Sequence, residues 1–230
     1  MKRVDETDQP VSLSRRRLQG LYAVTPDTRD TDLLVAKVEA ALAGGAQAIQ
    51  YRNKTGSVAA RREQAQRIAH VCAQRGVLLV INDDAELADA VDADGVHLGR
   101  DDGDVASVRA KRGETMLIGV SCYGDFARAQ HAVEQGAEYV AFGSFFASSA
   151  KPGAVRADLS LLLQARALGV PVVAIGGITA GNARIVIDAG ADAVAVITDV
   201  FGHDDLDAVT RAASAIAAVF DTPLPMPVRD

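Results

Sequence analysis

The sequence predicts a single α/β domain folded as a (β/α)8 TIM barrel with eight parallel strands. Short runs rich in β-branched residues alternate strictly with longer segments of helical pattern. Such alternation requires parallel strands joined by right-handed crossovers. Eight strand–helix units within 230 residues fit a closed barrel better than an open sheet. Hydrophobic residues make up 49% of the chain but aromatic residues only 4%, so the core is expected to consist of Ala, Val, Leu and Ile, which suits strands buried on both faces.

The predicted strands are short apolar runs bounded by turn residues. They are placed at Gln19 to Thr25, Ala46 to Arg52, Val77 to Asn82, Gly95 to Leu98, Leu117 to Ser121, Tyr139 to Gly143, Val170 to Ile175 and Asp192 to Ile197. Gly-Ala precedes the second, sixth and eighth strands, and this weak repeat also favours a barrel.

The predicted helices lie between these strands, and the first two end at glycine, a common helix terminator. They are placed at Thr31 to Gly44, Val58 to Arg75, Ala85 to Val91, Val105 to Lys111, Phe126 to Gln135, Leu159 to Leu168, Asn182 to Ala189 and Leu206 to Phe220.

The two ends of the chain are predicted to lie outside the barrel, which we assign to residues 18–220. Residues 1–17 are polar and charged, lack the apolar segment of a secretion signal and are predicted to form a flexible arm. Residues 221–230 contain Pro223, Pro225 and Pro227 and are predicted to be a tail that cannot continue a helix.

The net charge and the cysteine content indicate which partners and which cellular compartment to expect. The net charge of −6 argues against a general nucleic-acid or membrane-surface role, since both favour a basic face. No stretch approaches the roughly 18 to 20 apolar residues of a membrane span. Cys72 and Cys122 match no metal or redox spacing, so two reduced thiols in a cytoplasmic protein are expected.

The end of the second strand is the strongest site signal in the sequence. In such barrels the active site lies at the C-terminal ends of the strands. Gln50, Arg52 and Lys54 alternate onto one face, with Ala46 and Ala48 lower on the same face. A face that changes from alanine to these polar residues indicates a polar mouth. The alternative is that Arg52 and Lys54 simply reach solvent.

Carboxylates follow the third and fourth strands. Asp83 comes directly after Asn82, and Asp102 follows the next strand. Mg²⁺ typically takes one or two carboxylates together with substrate oxygens and water, so these two aspartates form a candidate metal site. The alternative for the first is an N-cap role at the next helix for Asp83 or Asp84, of which Asp84 is the expected cap. The alternative for the second is that Asp101 and Asp102 are polar residues of a loop.

Glycines and a lysine-containing loop suggest anion binding at the other side of the rim. Gly176-Gly177 ends the seventh strand, where barrels often hold a phosphate on backbone amides, and Ile197 and Thr198 would add amides from the eighth. A tight turn is the alternative. The loop from Phe145 to Ala157 carries Lys151 and is a candidate mobile lid or, alternatively, a disordered surface loop.

Together these segments resemble the thiamine-phosphate synthase family over roughly Gly20 to Phe201. The shared motifs are Gln50-Tyr51-Arg52-Asn53-Lys54, Ile81-Asn82-Asp83, Gly95-Val96-His97-Leu98-Gly99-Arg100-Asp101-Asp102, Ile118-Gly119-Val120-Ser121, Phe142-Gly143-Ser144-Phe145-Phe146, Ala174-Ile175-Gly176-Gly177-Ile178 and Val194-Ala195-Val196-Ile197-Thr198.

The resemblance implies a Mg²⁺-dependent transferase and assigns roles to single residues. The family joins 4-amino-5-hydroxymethyl-2-methylpyrimidine pyrophosphate to 4-methyl-5-(2-hydroxyethyl)thiazole phosphate, releasing pyrophosphate. By similarity, Arg52, Lys54, Ser121 and Lys151 are catalytic. The pyrimidine pyrophosphate site is implied to contain Gln50, Arg52, Lys54 and Asn82, with Ser121 and Lys151 on its pyrophosphate. Asp83 and Asp102 are implied to hold Mg²⁺, and Ser148, Gly177, Ile197 and Thr198 to receive the thiazole phosphate.

The chain departs from the family pattern at a few positions. Asn53 replaces a frequent Asp, Arg100 replaces a frequent Gln, and Ala150 replaces a hydroxyl residue in the lid loop. His97 is expected to pack or to support the site, because the thiazole nitrogen needs no general base. Partners are expected to be the two small molecules, with no nucleic acid or membrane and a homodimer left open.

Three rival functions are left open by the sequence. A paralogue that isomerises the thiazole phosphate would need one phosphate site and an acid/base residue, but no groups to bind pyrophosphate. Another phosphate-binding barrel enzyme would need acid/base pairs at the strand ends. A non-catalytic sensor of thiamine precursors would bind both substrates without releasing pyrophosphate.

Overall fold

A computed structural model describes residues 18–101, 103–113, 115–147 and 155–221. Within these ranges eight parallel strands form a closed barrel in which each strand pairs with the next along the chain and the eighth pairs with the first. The predicted fold class is therefore confirmed. The predicted N-terminal arm lies outside the described residues, as does the predicted tail except for Asp221, which ends the last helix.

The strands that form the barrel are four to seven residues long. They are β1 Gly20–Val24, β2 Ala48–Tyr51, β3 Leu78–Asn82, β4 Gly95–Leu98, β5 Leu117–Tyr123, β6 Tyr139–Phe142, β7 Val172–Ile175 and β8 Ala193–Val196.

Helices cover the outside of the barrel. Those within the described residues are α1 Thr31–Ala43, α2 Val58–Arg75, α3 Ala85–Ala90, α4 Val105–Arg112, α5 Phe126–Glu134, α6 Ser160–Ala165, α7 Ala183–Asp188, α8 Thr198–Phe201 and α9 Leu206–Asp221. Side-chain caps explain where several of them begin, because Asp and Ser readily accept a hydrogen bond from an orphan amide of the first turn. Asp84 is such a cap, as predicted, and accepts from the amide of Leu87 at 2.9 Å.

The observed elements differ locally from the predicted boundaries, twice at the rim and once in a helix. Strand β5 continues past Ser121 to Tyr123, with a register shift against β6 between these two residues. The short helix α8 follows β8 and was not predicted, because four residues carry no detectable helical period. The predicted helix over 159–168 is also shorter, since α6 ends at Ala165 and a 3₁₀ turn continues it to Leu168.

The barrel interior is lined by alanine, valine and leucine side chains around two large tyrosines. The inner cluster contains Leu18, Tyr22, Val24, Ala48, Leu78, Val80, Leu117, Tyr139, Ala141, Val173, Ala193 and Ala195. The opposite faces of the strands pack against the helices in a larger outer cluster. Ala46 belongs to that outer cluster, so its expected place below Ala48 on the inner face was wrong. The alternation does not reach it because β2 begins only at Ala48.

None of the helices in the described ranges combines the length and the apolar character that a bilayer crossing requires.

Candidate active site

Arg52 is fixed at the C-terminal end of β2 by contacts from the segment that follows β1. The buried hydroxyl of Thr25 accepts a hydrogen bond from the amide of Arg52 at 2.8 Å and donates to its carbonyl oxygen at 3.0 Å. Asp27 Oδ2 lies 3.2 Å from the guanidinium Nη1, and Asp27 Oδ1 accepts from the amide of Lys54 at 2.6 Å. Both the backbone and the charged head of Arg52 are thus set by this neighbouring segment.

Lys54 and Asp83 meet at the same rim from different strand ends. The Lys54 Nζ lies 3.0 Å from Asp83 Oδ2 in a half-exposed ion pair. Asp83 adopts a left-handed backbone conformation with φ of 65°, which is uncommon for a residue other than glycine. Its amide donates to the carbonyl oxygen of His97 at 2.8 Å, so β4 holds this turn in place. Such strained residues often occur at functional sites.

Of the two predicted metal ligands, the structure describes Asp83 but not Asp102. Asp83 offers carboxylate oxygens, the donors that Mg²⁺ prefers, and it already neutralises a cation at the rim. Asp102 lies outside the described residues, although Asp101 and Gly103 on either side follow β4, the strand next to β3. Within the described ranges no group of three or more His, Cys, Asp or Glu side chains is placed to hold a metal. The residues present fit a site of few protein ligands.

Five polar side chains cross the barrel interior as one hydrogen-bonded series, which we call the polar chain: Gln50, Tyr22, Tyr139, His97 and Ser121. Gln50 Nε2 donates to the Tyr22 hydroxyl at 2.8 Å, and the two tyrosine hydroxyls lie 3.0 Å apart. His97 Nδ1 lies 2.9 Å from the Tyr139 hydroxyl, and its Nε2 lies 2.8 Å from Ser121 Oγ. The predicted supporting role of His97 therefore has a definite geometry.

Burial controls the charge of the polar chain. Desolvation lowers the pKa of His97 to about 4, while the Asp83 carboxylate acts in the opposite direction. Burial also raises the pKa of the Tyr22 and Tyr139 hydroxyls well above their usual value. The imidazole and both phenols are accordingly neutral at pH 7, and this segment of the barrel carries hydrogen bonds rather than ions.

The polar chain fits in the core because the adjoining residues are small. A Cβ atom on Gly119 would lie 1.9 Å from Cζ of Tyr139, so only glycine leaves space for that ring. The Tyr139 ring stacks against His97 with 5.5 Å between ring centroids. Gly119 of the quoted motif is therefore required by packing against the polar chain.

The two glycines after β7 line a cavity of about 390 Å³ at the rim. Ile197, Thr198 and His203 line the same cavity. Gly176 and Gly177 have φ of 104° and 66°, and a Cβ on Gly177 would lie 2.3 Å from the carbonyl oxygen of Ala147. The turn itself therefore demands glycine, and this demand coexists with a cavity large enough for a phosphate group.

Three predicted site residues, Asp102, Ser148 and Lys151, lie outside the described residues. The lid candidate is described only at its two ends. At the first end the amides of Phe145 and Phe146 donate to the carbonyl oxygens of Ile175 and Gly176 at 3.3 and 2.9 Å. The loop thus leaves the rim directly beside the cavity. The predicted residues in the described ranges, Gln50, Arg52, Lys54, Asn82, Asp83, Ser121, Gly177, Ile197 and Thr198, all lie at or just below this rim.

Arg128, on α5, is a positioning residue that the sequence did not reveal. Its Nε donates to the carbonyl oxygen of Ser121 at 2.8 Å, and its Nη2 donates to that of Gly99 at 3.0 Å. It therefore joins the ends of β4 and β5 from outside the barrel. Asp27 and Thr25 were missed as well, because each is a single polar residue in a segment without a recognisable spacing.

The departure at Asn53 has a structural explanation. Its Oδ1 accepts from the amides of Thr55 and Gly56 at 3.1 and 2.8 Å, as an aspartate also could. Its Nδ2 donates to the carbonyl oxygen of Thr28 at 2.9 Å and to Gln64 Oε1 at 3.0 Å, which a carboxylate could not do. In this chain Asn53 is part of the buried support for the turn between Arg52 and α2.

Comparison with known proteins identifies the family to which this arrangement belongs. A family model described as thiamine monophosphate synthase matches residues 21–200. The thiamine-phosphate synthase of Chromobacterium violaceum is 53% identical over 196 residues, which cover 85% of this chain and 95% of the relative. That of Methylobacillus flagellatus is 54% identical over 194 residues, which cover 84% and 93%.

A solved structure supports the same assignment. The thiamine phosphate pyrophosphorylase from Pyrococcus furiosus superimposes with a TM-score of 0.79 at 33% identity, covering 90% of this chain and 97% of that one. A 3-hexulose-6-phosphate synthase with a TM-score of 0.64 and 22% identity shares the fold. By sequence motifs, overall match and architecture, the chain belongs to the thiamine monophosphate synthase family.

Proposed function

We propose that this chain is an enzyme that makes thiamine phosphate. It would join 4-amino-5-hydroxymethyl-2-methylpyrimidine pyrophosphate to 4-methyl-5-(2-hydroxyethyl)thiazole phosphate and release pyrophosphate, with Mg²⁺ bound. The observation that carries the proposal is the meeting of Arg52, Lys54 and Asp83 at one rim, with Lys54 Nζ 3.0 Å from Asp83 Oδ2. Cations and a carboxylate at one strand-end rim suit a pyrophosphate and a divalent ion. The relatives of about 50% identity named as thiamine-phosphate synthases support it.

The leaving group determines what the residues must do. The methylene C–O bond breaks, pyrophosphate departs with the electron pair, and the thiazole nitrogen forms the new C–N bond with its own lone pair. The aminopyrimidine can delocalise the positive charge that develops at the methylene carbon. No proton has to be removed from the nucleophile, which agrees with a buried His97 whose two ring nitrogens are both engaged by Tyr139 and Ser121.

Charge stabilisation at the pyrophosphate is the main task assigned to the rim. Arg52, Lys54 and Lys151 would neutralise the departing oxygens, and the arginine can donate to two of them at once. Ser121 would add a hydroxyl donor. Mg²⁺, when bound by Asp83 and Asp102, would supply Lewis-acid stabilisation of the same oxygens.

Substrate positioning is assigned to the remaining predicted residues. Gln50 and Asn82 would orient the pyrimidine ring. Ser148, Gly177, Ile197 and Thr198 would hold the thiazole phosphate at the cavity beside β7 and β8. Holding the two rings in line removes much of the entropic barrier to their union.

A direct assay tests the proposal. Purified protein is mixed with Mg²⁺ and both substrates, and thiamine phosphate is sought by mass spectrometry, with each substrate and Mg²⁺ omitted in turn. Binding of both substrates without release of pyrophosphate would instead indicate a sensor. An Asp102→Ala variant is expected to require more Mg²⁺, and an unchanged Mg²⁺ dependence would remove Asp102 from the metal site.

A cytoplasmic location and small-molecule partners alone, without nucleic acid or membrane, are part of the same proposal. The two cysteines in the described part of the chain are unpaired and buried, as expected for reduced thiols. A homodimer stays a prediction, which light scattering of the purified protein tests.

A further inference from the structure

The polar chain has a direction that its first member determines. Gln50 Nε2 can only donate, so the Tyr22 oxygen accepts and the Tyr22 proton is left for its other partner, the Tyr139 hydroxyl. Tyr139 then accepts a hydrogen bond from Tyr22 and donates one to His97 Nδ1, which lies 2.9 Å away. Each hydroxyl has one proton, so accepting on one side leaves it to donate on the other.

The same reasoning fixes the histidine and the serine. A His97 Nδ1 that accepts from Tyr139 carries no proton, so the proton of the neutral ring lies on Nε2. Nε2 therefore donates to Ser121 Oγ at 2.8 Å. Ser121 accepts this bond, and its own hydroxyl proton is left free to point elsewhere.

Burial fixes the donor and acceptor roles along the polar chain. Tyr22 and Tyr139 are 1% and 0% exposed, and Gln50 and His97 are 6% and 7% exposed. Their hydrogen bonds cannot be exchanged readily for bonds to water, and an unpaired polar group in the core would be costly. Ser121 is partly exposed and lies at the rim end of the series.

We propose that the polar chain keeps the Ser121 hydroxyl proton free to donate toward the rim, and that His97 is the positioning residue that ensures this by occupying one acceptor site of Ser121. A hydroxyl whose proton is free to donate suits an anion, because phosphate oxygens offer acceptors alone. The inference rests on the proposed function for its substrate, since it specifies how Ser121 meets the pyrophosphate. At the opposite end, Gln50 Oε1 is left as an acceptor, which suits a ring amino group.

The direction can be measured without substrate. Long-range ¹H–¹⁵N spectra of the full ¹⁵N-labelled chain report which nitrogen of each of the four histidines carries the proton. The His97 signals are those that vanish in the His97→Gln variant. We expect a proton on Nε2 and a bare Nδ1. A proton on Nδ1 would reverse the direction of the polar chain and overturn the proposal, whether or not the protein is a synthase.

A kinetic comparison tests the positioning role. Glutamine at position 97 places its amide nitrogen near the former Nε2 and can still donate to Ser121, whereas asparagine places it near Nδ1. We expect the turnover number of His97→Asn to be at least about tenfold lower than that of His97→Gln, because one hydrogen bond to a charged transition state is lost. The change in KM should be smaller. Equal turnover numbers for the two variants would overturn the role.

A double-mutant cycle separates positioning from a structural effect. If His97 acts through Ser121, the difference between the His97→Asn and His97→Gln variants should disappear when Ser121→Ala is also present. The same difference in both backgrounds would show that His97 acts by another route. Thermal unfolding confirms that each variant folds, and the tautomer measurement on the unaltered chain decides the matter if one does not.

Discussion

Asp27, which follows β1, and Arg52, which follows the neighbouring strand β2, form an ion pair with 3.2 Å between Asp27 Oδ2 and Arg52 Nη1. The other oxygen of the same carboxylate accepts from the amide of Lys54 at 2.6 Å. One aspartate thus holds the guanidinium of Arg52 and the backbone of Lys54, the two cationic residues proposed to meet the pyrophosphate. It leaves part of the guanidinium available, because the pair uses a single nitrogen.

Replacing Asp27 is expected to impair activity more than stability. Asp27→Ala should lower kcat/KM for the pyrimidine substrate by about tenfold, because the ion pair that orients the Arg52 guanidinium and the charge-assisted hydrogen bond that holds the Lys54 backbone are lost. The free energy of unfolding should fall by only about 1 kcal/mol or less, since the pair is partly exposed. Steady-state kinetics and urea denaturation measure the two effects. The control is Asp32→Ala, which removes an exposed partner of Arg67 on the outside of the barrel. Equal kinetics for the two variants would contradict the orienting role.

The ion pair between Lys54 and Asp83 predicts competition with the metal. Lys54→Met should bind Mg²⁺ about two- to fivefold more tightly in the absence of substrate, because the ammonium no longer neutralises the carboxylate. Turnover should nevertheless fall, since a cation that faces the pyrophosphate is lost. Calorimetric titration with MgCl2 checks the affinity, and Arg67→Met serves as the matched control. An unchanged or weaker affinity for Mg²⁺ would show that Asp83 does not hold the ion.

Gly119 is expected to tolerate no side chain. Gly119→Ala places a methyl group where the Tyr139 ring stands, and overpacking of this kind typically costs about 1 to 3 kcal/mol. The midpoint of urea denaturation should fall accordingly. Gly181→Ala is the control, because the nearest atom to its added Cβ is 3.7 Å away and its φ is not positive. If both variants unfold at the same urea concentration, the packing argument for the tyrosine fails.

The cysteine thiols should be unreactive in the folded protein. Burial raises the pKa of both Cys72 and Cys122 to about 12 from an ordinary value near 9. Thiolate is the reactive form, so labelling by a thiol reagent at pH 8 should be slow in the native state and rapid in urea. Because the folded-state pKa is raised, any stability that the neutral thiols contribute is complete below pH 9 and is lost as the pH rises toward 12. Rapid labelling of the native protein at pH 8 would contradict the burial of these groups.

The amino-acid sequence by itself determined the fold class and most of the rim. Alternating apolar runs and helical segments predicted the closed barrel, because a parallel sheet has to be covered by its crossover helices. Arg52, Lys54 and Asp83 were predicted to lie near one another because the C-terminal ends of parallel strands meet at one edge. These inferences need only the position of a residue within its own strand.

Only the tertiary structure decided which side chains contact one another across the barrel. The link from Gln50 to Ser121 passes through three other strands, so no local spacing could reveal it. Asp27 and Arg128 likewise act on residues 25 and 7 positions away in the sequence. Periodicity tells which face of a strand a residue occupies, whereas barrel closure, register and side-chain volume fix its partners.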